Sequence, residues 1–126
     1  MDEICTNDPI IQWDKDKQKW KTYDAVCCIW NGKFITVPAG FYTDLATIPW
    51  PLVGVPGAAR YGNHNRAAII HDYVYGVKGH LDDVQMTRKE ADDLFYDIMI
   101  EDEVPKWKAW TMWFAVRIAP NLWGKF

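Results

Sequence analysis

The first third of the chain alternates short apolar runs with polar turns, which is typical of β-strands. An apolar run at residues 10–13 precedes a charged turn, and a second run rich in β-formers covers residues 19–30. Asn31-Gly32 follows, and this dipeptide between apolar runs is a strong hairpin signal, because a type I′ turn needs positive φ at both central residues. The pattern predicts a three-stranded antiparallel meander over about residues 9–38.

The next segment, residues 38–64, is rich in Pro and Gly. Because Pro interrupts helices and central strands, the composition of this segment predicts a long ordered loop. Loops longer than about 12–15 residues are uncommon in compact domains unless they carry a function.

The second half of the chain carries three helical patterns. Asn65 can cap a first helix that ends at Gly76. The sequence Thr87-Arg88-Lys89-Glu90 is a capping box, and the apolar residues after it keep the i, i+3, i+4 spacing of a second helix. Pro105 suits the first turn of a third helix that extends to about residue 119.

These elements together predict an α+β fold. A chain of 126 residues is long enough for one domain and too short for two. The predicted parts of this single domain are the meander at 9–38, the ordered loop at 38–64, the helical part at 65–119 and a tail at 120–126.

Composition and charge exclude several classes of protein. With 14 Lys+Arg against 17 Asp+Glu, no global positive field exists to hold a nucleic-acid backbone, so we expect no nucleic-acid partner. No apolar run approaches the roughly 20 residues of a membrane span, and the first residues do not resemble a signal peptide. The three cysteines do not suggest a disulfide framework. We expect a soluble protein of the cytoplasm.

The chain contains eight Trp, several of them near its end. No acidic residue occurs from Val104 onward, whereas residues 82–103 hold nine acids and two bases. One interpretation is a basic helix that pairs with the acidic one and fills the core with aromatic side chains. The other is a surface that meets lipid headgroups or another protein. We favour the first, because a small domain with little Leu must fill its core.

The densest polar cluster in an apolar helix is His71-Asp72-x-x-Tyr75. His71 and Tyr75 are four residues apart and share a helix face, while Asp72 projects about 100° away. A His among apolar neighbours needs a hydrogen-bond partner that fixes its tautomer. Asp92 on the second helix is the best-placed partner, and Asp44 in the loop is the alternative.

The helical wheel separates two neighbouring carboxylates of the second helix. Asp92 lies at the edge of the buried face, and Asp93 lies almost opposite. We therefore predict that His71 and Asp92 approach within hydrogen-bond reach while Asp93 points to solvent. The cluster is then either a catalytic site or a satisfied structural feature of the core, and the sequence leaves both open.

Other catalytic constellations are weaker. The gaps between His64, His71 and His80 do not place two imidazoles on adjoining helical turns, as a zinc hydrolase would favour. The chain contains no Ser, so no serine triad is present.

Several motifs follow one another between residues 40 and 117. They are Phe41-x-Thr43-Asp44-Leu45-Ala46-Thr47-x-Pro49, Arg60-Tyr61, Ala67-Ala68-x-x-His71-Asp72-x-x-Tyr75, Arg88-x-x-Ala91-Asp92-x-x-Phe95 and Val104-Pro105-x-Trp107. This order resembles a family of short proteins of unknown function encoded by tailed bacteriophages and prophages. The resemblance implies a phage protein, which we interpret as a virion, tail-associated or assembly component. Its expected partners are other phage proteins or a second copy of the chain, and it would be made in the host cytoplasm and incorporated in the virion.

A second resemblance is local. His71-Asp72-x-x-Tyr75-Gly76, followed by an Ala91-Asp92-x-x-Phe95 helix, is similar to the catalytic helix pair of secreted and parvoviral phospholipases of the A-two type. The resemblance implies that His71 is the general base, that Asp72 binds Ca²⁺, and that Tyr75 and Asp92 hold the His. The disulfide cysteines and the glycine-rich calcium loop of that family are missing, and Asp44 could supply a compensating ligand. The alternative function is therefore a small calcium-dependent hydrolase that acts on lipid or another ester of the host envelope.

Overall fold

The structure, a computed structural model, describes residues 9–43, 65–81 and 84–118. Within these ranges it is an α+β fold, which confirms the predicted class. The strands are β1 (Ile11–Asp14), β2 (Lys19–Thr22), β3 (Val26–Trp30), β4 (Lys33–Val37) and β5 (Tyr42–Thr43), and the helices are α1 (Asn65–Gly76), α2 (Arg88–Glu101) and α3 (Lys106–Ile118). The predicted loop beyond residue 43, with Asp44, and the predicted tail at 120–126 lie outside the described residues.

The strands pair differently from the predicted meander. An antiparallel three-stranded sheet has the order β1-β2-β5, and β3 and β4 form a separate two-stranded sheet. The predicted second strand is interrupted after Thr22, where Tyr23 and Asp24 are exposed. The third strand of the larger sheet comes instead from the Pro/Gly-rich segment. The predicted three-stranded antiparallel sheet is confirmed, but its third strand is β5 and lies outside the predicted range of residues 9–38.

Thr22 explains why the chain returns to β2. Its hydroxyl donates to the carbonyl of Pro38 at 2.9 Å and accepts from the backbone N–H of Phe41 at 2.9 Å. Its carbonyl accepts from Gly40, whose φ of 85° is the positive value that glycine adopts without strain. The side chain of Thr22 is buried, so these bonds form away from water. They hold the turn that places β5 beside β2.

The Asn31-Gly32 turn is the one that the sequence predicts. Asn31 has a φ of 49° and Gly32 a φ of 76°, so both central residues take the positive φ of a type I′ turn. The turn sets the register in which Trp30 faces Lys33. Side chains of β4 then alternate, with Ile35 and Val37 buried, as one face of a half-buried hairpin requires.

The capping box of α2 forms as predicted. Thr87 accepts from the backbone N–H of Glu90 at 3.1 Å, and the Glu90 carboxylate accepts from the backbone N–H of Thr87 at 3.0 Å. Helix α2 packs between α1 and α3, and β4 and β5 contact α1. Its fully buried side chains include Leu94, Phe95 and Ile98, which gives the molecule a core centred on this helix.

Helix α3 departs from the core-filling interpretation of its aromatic residues. Its buried face consists of Ala109, Met112, Ala115 and Val116. The side chains of Trp107, Trp110 and Phe114 are instead 52%, 54% and 44% exposed. These three large rings therefore lie on the exposed side of α3. No helix in the described ranges is long and apolar enough to cross a membrane.

Candidate functional site

The carboxylate of Asp92 is the centre of a buried polar cluster. One of its oxygens, Oδ1, lies 2.8 Å from Nε2 of His71 and accepts a hydrogen bond from the hydroxyl of Tyr75 at 2.7 Å. Asp92 is 0% exposed, His71 1% and Tyr75 4%. The predicted approach of His71 and Asp92 is confirmed. It arises because residues 71 and 75 share one face of α1, against which the buried face of α2 packs.

The second oxygen of Asp92, Oδ2, forms an ion pair with Arg117 of α3. Nη1 of Arg117 donates to Oδ2 at 2.9 Å, and the side chain of Arg117 is 28% exposed. The carboxylate charge is therefore compensated by a guanidinium that reaches in from the edge of the cluster. Arg117 was not predicted from the sequence as part of this site. The sequence did contain a signal for it. Arg117 is the one basic residue in the last turn of α3, which has no acidic residue, and α2 beside it is rich in acidic residues.

Arg88 joins the cluster to the end of α3. Its Nε donates to the hydroxyl of Tyr75 at 3.3 Å, and its Nη2 donates to the carbonyls of Val116 and Arg117 at 3.1 and 2.8 Å. Carbonyls in the last turn of a helix have no partner within the helix, so a guanidinium is a favourable ligand for them. Arg88 belongs to the same sequence motif as Asp92, Arg88-x-x-Ala91-Asp92-x-x-Phe95. That shared motif was the signal that could have placed Arg88 at the site.

The protonation states follow from the hydrogen bonds. Burial acts to raise the pKa of Asp92, but the hydrogen bonds from His71 and Tyr75, with the ion pair to Arg117, lower the pKa below its ordinary value. Burial and the neighbouring Asp92 carboxylate raise the pKa of Tyr75 well above its ordinary value. At neutral pH the cluster therefore holds an ionised carboxylate and a neutral phenol that donates to it.

An ionised carboxylate only accepts hydrogen bonds, so Nε2 of His71 carries the hydrogen. In a neutral imidazole the lone pair is then on Nδ1. The ring is held in place by two aromatic neighbours, with centroids 4.3 Å from that of Tyr75 and 4.6 Å from that of Phe95. The arrangement fixes both the tautomer and the orientation of His71, which are the two properties that a general base needs.

Asp72, the predicted calcium ligand, lies outside this cluster. Its Oδ2 accepts a hydrogen bond of 2.5 Å from the hydroxyl of Thr43, a buried residue of β5. Within the described ranges no group of three or more His, Cys, Asp or Glu could hold a metal ion. Ca²⁺ takes about six to eight oxygen ligands. The described residues alone therefore do not complete a calcium site, and Asp44, the other predicted ligand, follows Thr43 outside them.

Asp93 does not point freely to solvent, which corrects the helical-wheel prediction. Its Oδ1 accepts from Nε1 of Trp113 at 3.0 Å, and its Oδ2 lies 2.7 Å from Nζ of Lys89. The side chain is 32% exposed. The wheel placed Asp93 on the correct side of α2, away from His71, but α3 packs beside that side and brings Trp113 to it.

Comparison with known proteins shows the family. Residues 20–116 match the family described as "Protein of unknown function (DUF1353)", and the chain belongs to it. The matched range contains every residue of the cluster except Arg117. The chain is also 34% identical over 86 residues to the "Uncharacterized protein y4jT" of Sinorhizobium fredii (strain NBRC 101917 / NGR234). That match covers 68% of this chain and 24% of the relative, so the chain corresponds to about a quarter of that protein. No solved structure matches the chain significantly.

Proposed function

We propose that the protein is a small hydrolase in which His71 activates water to cleave an ester of lipid or of the host envelope. The observation that carries this proposal is the shared oxygen of Asp92, 2.8 Å from Nε2 of His71 and 2.7 Å from the Tyr75 hydroxyl. This geometry directs the basic nitrogen of a neutral ring away from the carboxylate. The local resemblance to phospholipases of the A-two type supports the same roles.

The chemistry uses residues of this chain. Nδ1 of His71 would take a proton from a water molecule as its oxygen attacks the ester carbonyl. The imidazolium that forms is stabilised by the Asp92 carboxylate, which Tyr75 holds in place. The proton then passes from Nδ1 to the leaving alkoxide as the carbon–oxygen bond breaks, which restores the neutral ring. Asp92 and Tyr75 are positioning residues in this scheme, and His71 is the catalytic residue.

Hydrolysis of a short-chain phospholipid, followed by release of fatty acid, tests the proposal. We expect His71→Gln to lower the rate about 10²–10⁴-fold, because the amide cannot accept the proton. Gln retains a donor for Asp92, so circular dichroism should show an intact fold. His80→Gln is the matched control, since His80 is exposed and takes no part in the cluster. Wild-type protein that releases no fatty acid above blank, with or without millimolar Ca²⁺, would overturn the proposal.

Calcium dependence is a separate part of the proposal, with Asp72 and Asp44 as the ligands. When bound, the ion would polarise the ester carbonyl. A ligand at 100 times its Kd raises the free energy of unfolding by about 2.7 kcal/mol, so thermal melts with Ca²⁺ measure binding without activity. We expect a rise in Tm that Asp72→Asn removes and that Mg²⁺ does not reproduce. An unchanged Tm at millimolar Ca²⁺ would contradict the metal site.

A structural role in a phage particle is the second candidate. It is favoured by the connection that the two arginines, Arg88 and Arg117, make between Asp92, Tyr75 and the end of α3. Three helices joined by these hydrogen bonds and by the ion pair of Arg117 with Asp92 suit a virion or tail component bound to other phage proteins or to a second copy. Mass spectrometry of particles purified from the encoding phage or prophage tests this role. Particles without the chain would exclude it.

A further inference from the structure

A cavity of about 600 Å³ lies between the β3–β4 hairpin and helices α2 and α3, away from the His71 cluster. Four aromatic side chains line it, which are Trp30, Tyr96, Trp110 and Trp113. This volume falls in the usual range of sites for small ligands, roughly 300–1,000 Å³. The hydrolase proposal uses none of these residues.

Three carboxylates share the same cavity, and they are Glu90, Asp93 and Asp97. Two of them are oriented by indole N–H groups of the lining. Nε1 of Trp30 donates to Oδ2 of Asp97 at 2.8 Å, and Nε1 of Trp113 donates to Oδ1 of Asp93 at 3.0 Å. Each indole thereby places a negative oxygen beside an aromatic ring. Rings with carboxylates at their edges form a site for positive charge.

The cavity carries an excess of negative charge among the described residues. Lys33 pairs with Glu90 at 3.2 Å and Lys89 pairs with Asp93 at 2.7 Å. Asp97 has no cationic partner in the part of the chain that the structure describes. Its contact there is the Trp30 indole, which leaves its charge uncompensated.

The chain's own Lys33 shows how an ammonium group fits the rim of the cavity. Its Nζ lies 3.2 Å from a carboxylate oxygen of Glu90 and 5.8 Å from the centre of the Trp30 ring. A cation within about 6 Å of an indole is attracted by the ring quadrupole. The arrangement of carboxylate, ammonium and indole is therefore already present on one side of the cavity. The lining also contains Asp97, which has no cationic partner among the described residues, together with the rings of Trp110 and Trp113.

We propose that this cavity binds an organic cation with a guanidinium or primary ammonium group, through Asp97 and the surrounding rings. Such a group donates N–H bonds to carboxylates and also packs on aromatic faces, and this lining offers both. The group can come from a free polyamine or from a basic side chain. The two sources share one recognition chemistry, and the choice of probes separates them.

Two-dimensional ¹H–¹⁵N spectra give a direct measurement, because the indole N–H groups of Trp30 and Trp113 report from inside the cavity. We expect both resonances to shift with acetylarginine amide or with spermidine, and the probe with the lower Kd identifies the source. Acetylcitrulline amide has the same shape without the charge and should produce no saturable shift. Equal binding of the citrulline compound, or no shift with either cation at tens of millimolar, would overturn the proposal.

Variants locate the site. Asp97→Asn keeps an acceptor for Trp30 but removes the charge, and we expect it to weaken binding about tenfold or more. Trp110→Ala should weaken binding about 2- to 30-fold, the range of one cation–π contact. Glu101→Gln and Trp107→Ala are the matched controls, since they change exposed residues of the same helices that do not line the cavity. Loss of binding in the controls equal to that in the cavity variants would contradict the assignment.

One variant should bind the probes more tightly than the wild type, which damage to the fold would not cause. Lys33→Met removes the ammonium that pairs with Glu90, so the added cation no longer competes with it. We expect a several-fold lower Kd, and a higher Kd would oppose the proposed site. His71→Gln should bind the probes as the wild type does, so the cavity can be tested whatever the result for the hydrolase.

Discussion

Asp92 and Asp93 are neighbours on α2, but they lie in contrasting surroundings. Asp92 is fully buried and accepts from His71, Tyr75 and Arg117. Asp93 is partly exposed on another side of the helix, where it lines the aromatic cavity and contacts Trp113 and Lys89. One residue step along a helix turns the side chain by about 100°. That step separates a carboxylate that organises the core from one that lines an open site.

The contrast shows that surroundings, rather than the chemical group, decide the energetic importance of a charge. A buried carboxylate that loses its donors remains in a medium of low dielectric, where its charge is costly. An exposed carboxylate is screened by water and salt, so its partner contributes little. The buried cluster should therefore govern stability, and the aromatic cavity should govern binding.

The largest expected effect follows from removing the buried carboxylate. Asp92→Ala leaves the donors of His71, Tyr75 and Arg117 facing an apolar gap. We expect the free energy of unfolding to fall by about 3–5 kcal/mol, the usual loss when a buried ion pair is broken. Urea unfolding followed by circular dichroism measures it.

Asp93→Ala is the matched control for this change, because it alters the same residue type one position along the same helix. We expect it to cost less than about 1 kcal/mol, since its partners can turn to water. Similar losses in the two variants would show that burial does not separate them. The comparison between the cluster and the cavity would then fail.

A second test uses acid. Burial acts to raise the pKa of Asp92, but its hydrogen bonds lower the pKa below the ordinary value of 3.8. A carboxylate with a lowered folded pKa stabilises the protein above its unfolded pKa, and this contribution is lost as the pH falls through the folded pKa. We expect stability to decrease below about pH 4, and to decrease less in Asp92→Asn, which has no proton to bind.

The difference between wild type and Asp92→Asn isolates this one group. Backbone hydrogen bonds also lower the pKa of Asp14 and of Glu90, but both residues are present in both proteins. The groups that face Asp92 are His71 and Tyr75 from α1 and Arg117 from α3. Denaturant unfolding between pH 3 and pH 6 gives the free energy of unfolding of both proteins at each pH. The same pH dependence in both proteins would contradict the role of Asp92 in acid stability.

The helices were predictable from sequence because their signals are local. The capping box at Thr87 and the apolar spacing after it lie within one turn or two of the helix that they define. Strand pairing was not predictable in the same way. β5 is two residues long, and it joins β2 through the bonds of Thr22 to residues about 16–19 positions away. No local sequence pattern predicts a contact between residues so far apart in the chain.

The residues of the candidate site also differ in whether local sequence patterns could predict them. The helical wheel placed His71, Tyr75 and Asp92 on facing sides of two helices, and the structure brings them together. Arg117 and Trp113 were missed, because their positions depend on how α3 crosses α2. The buried face of α3 includes Ala109 and Ala115, whereas Trp107, Trp110 and Phe114 are exposed.

The smallest expected effect concerns the exposed ion pair of the cavity. Lys89 and Asp93 lie one helical turn apart with side chains 67% and 32% exposed, so Lys89→Met should cost less than about 0.5 kcal/mol. The loss should become smaller in 1 M salt, because salt weakens the attraction between exposed charges. Arg117→Met, which leaves the buried carboxylate of Asp92 without its cation, should cost about 1–3 kcal/mol and should respond less to salt. Urea unfolding at two salt concentrations measures both variants, and equal costs would mean that exposure does not set the strength of these two pairs.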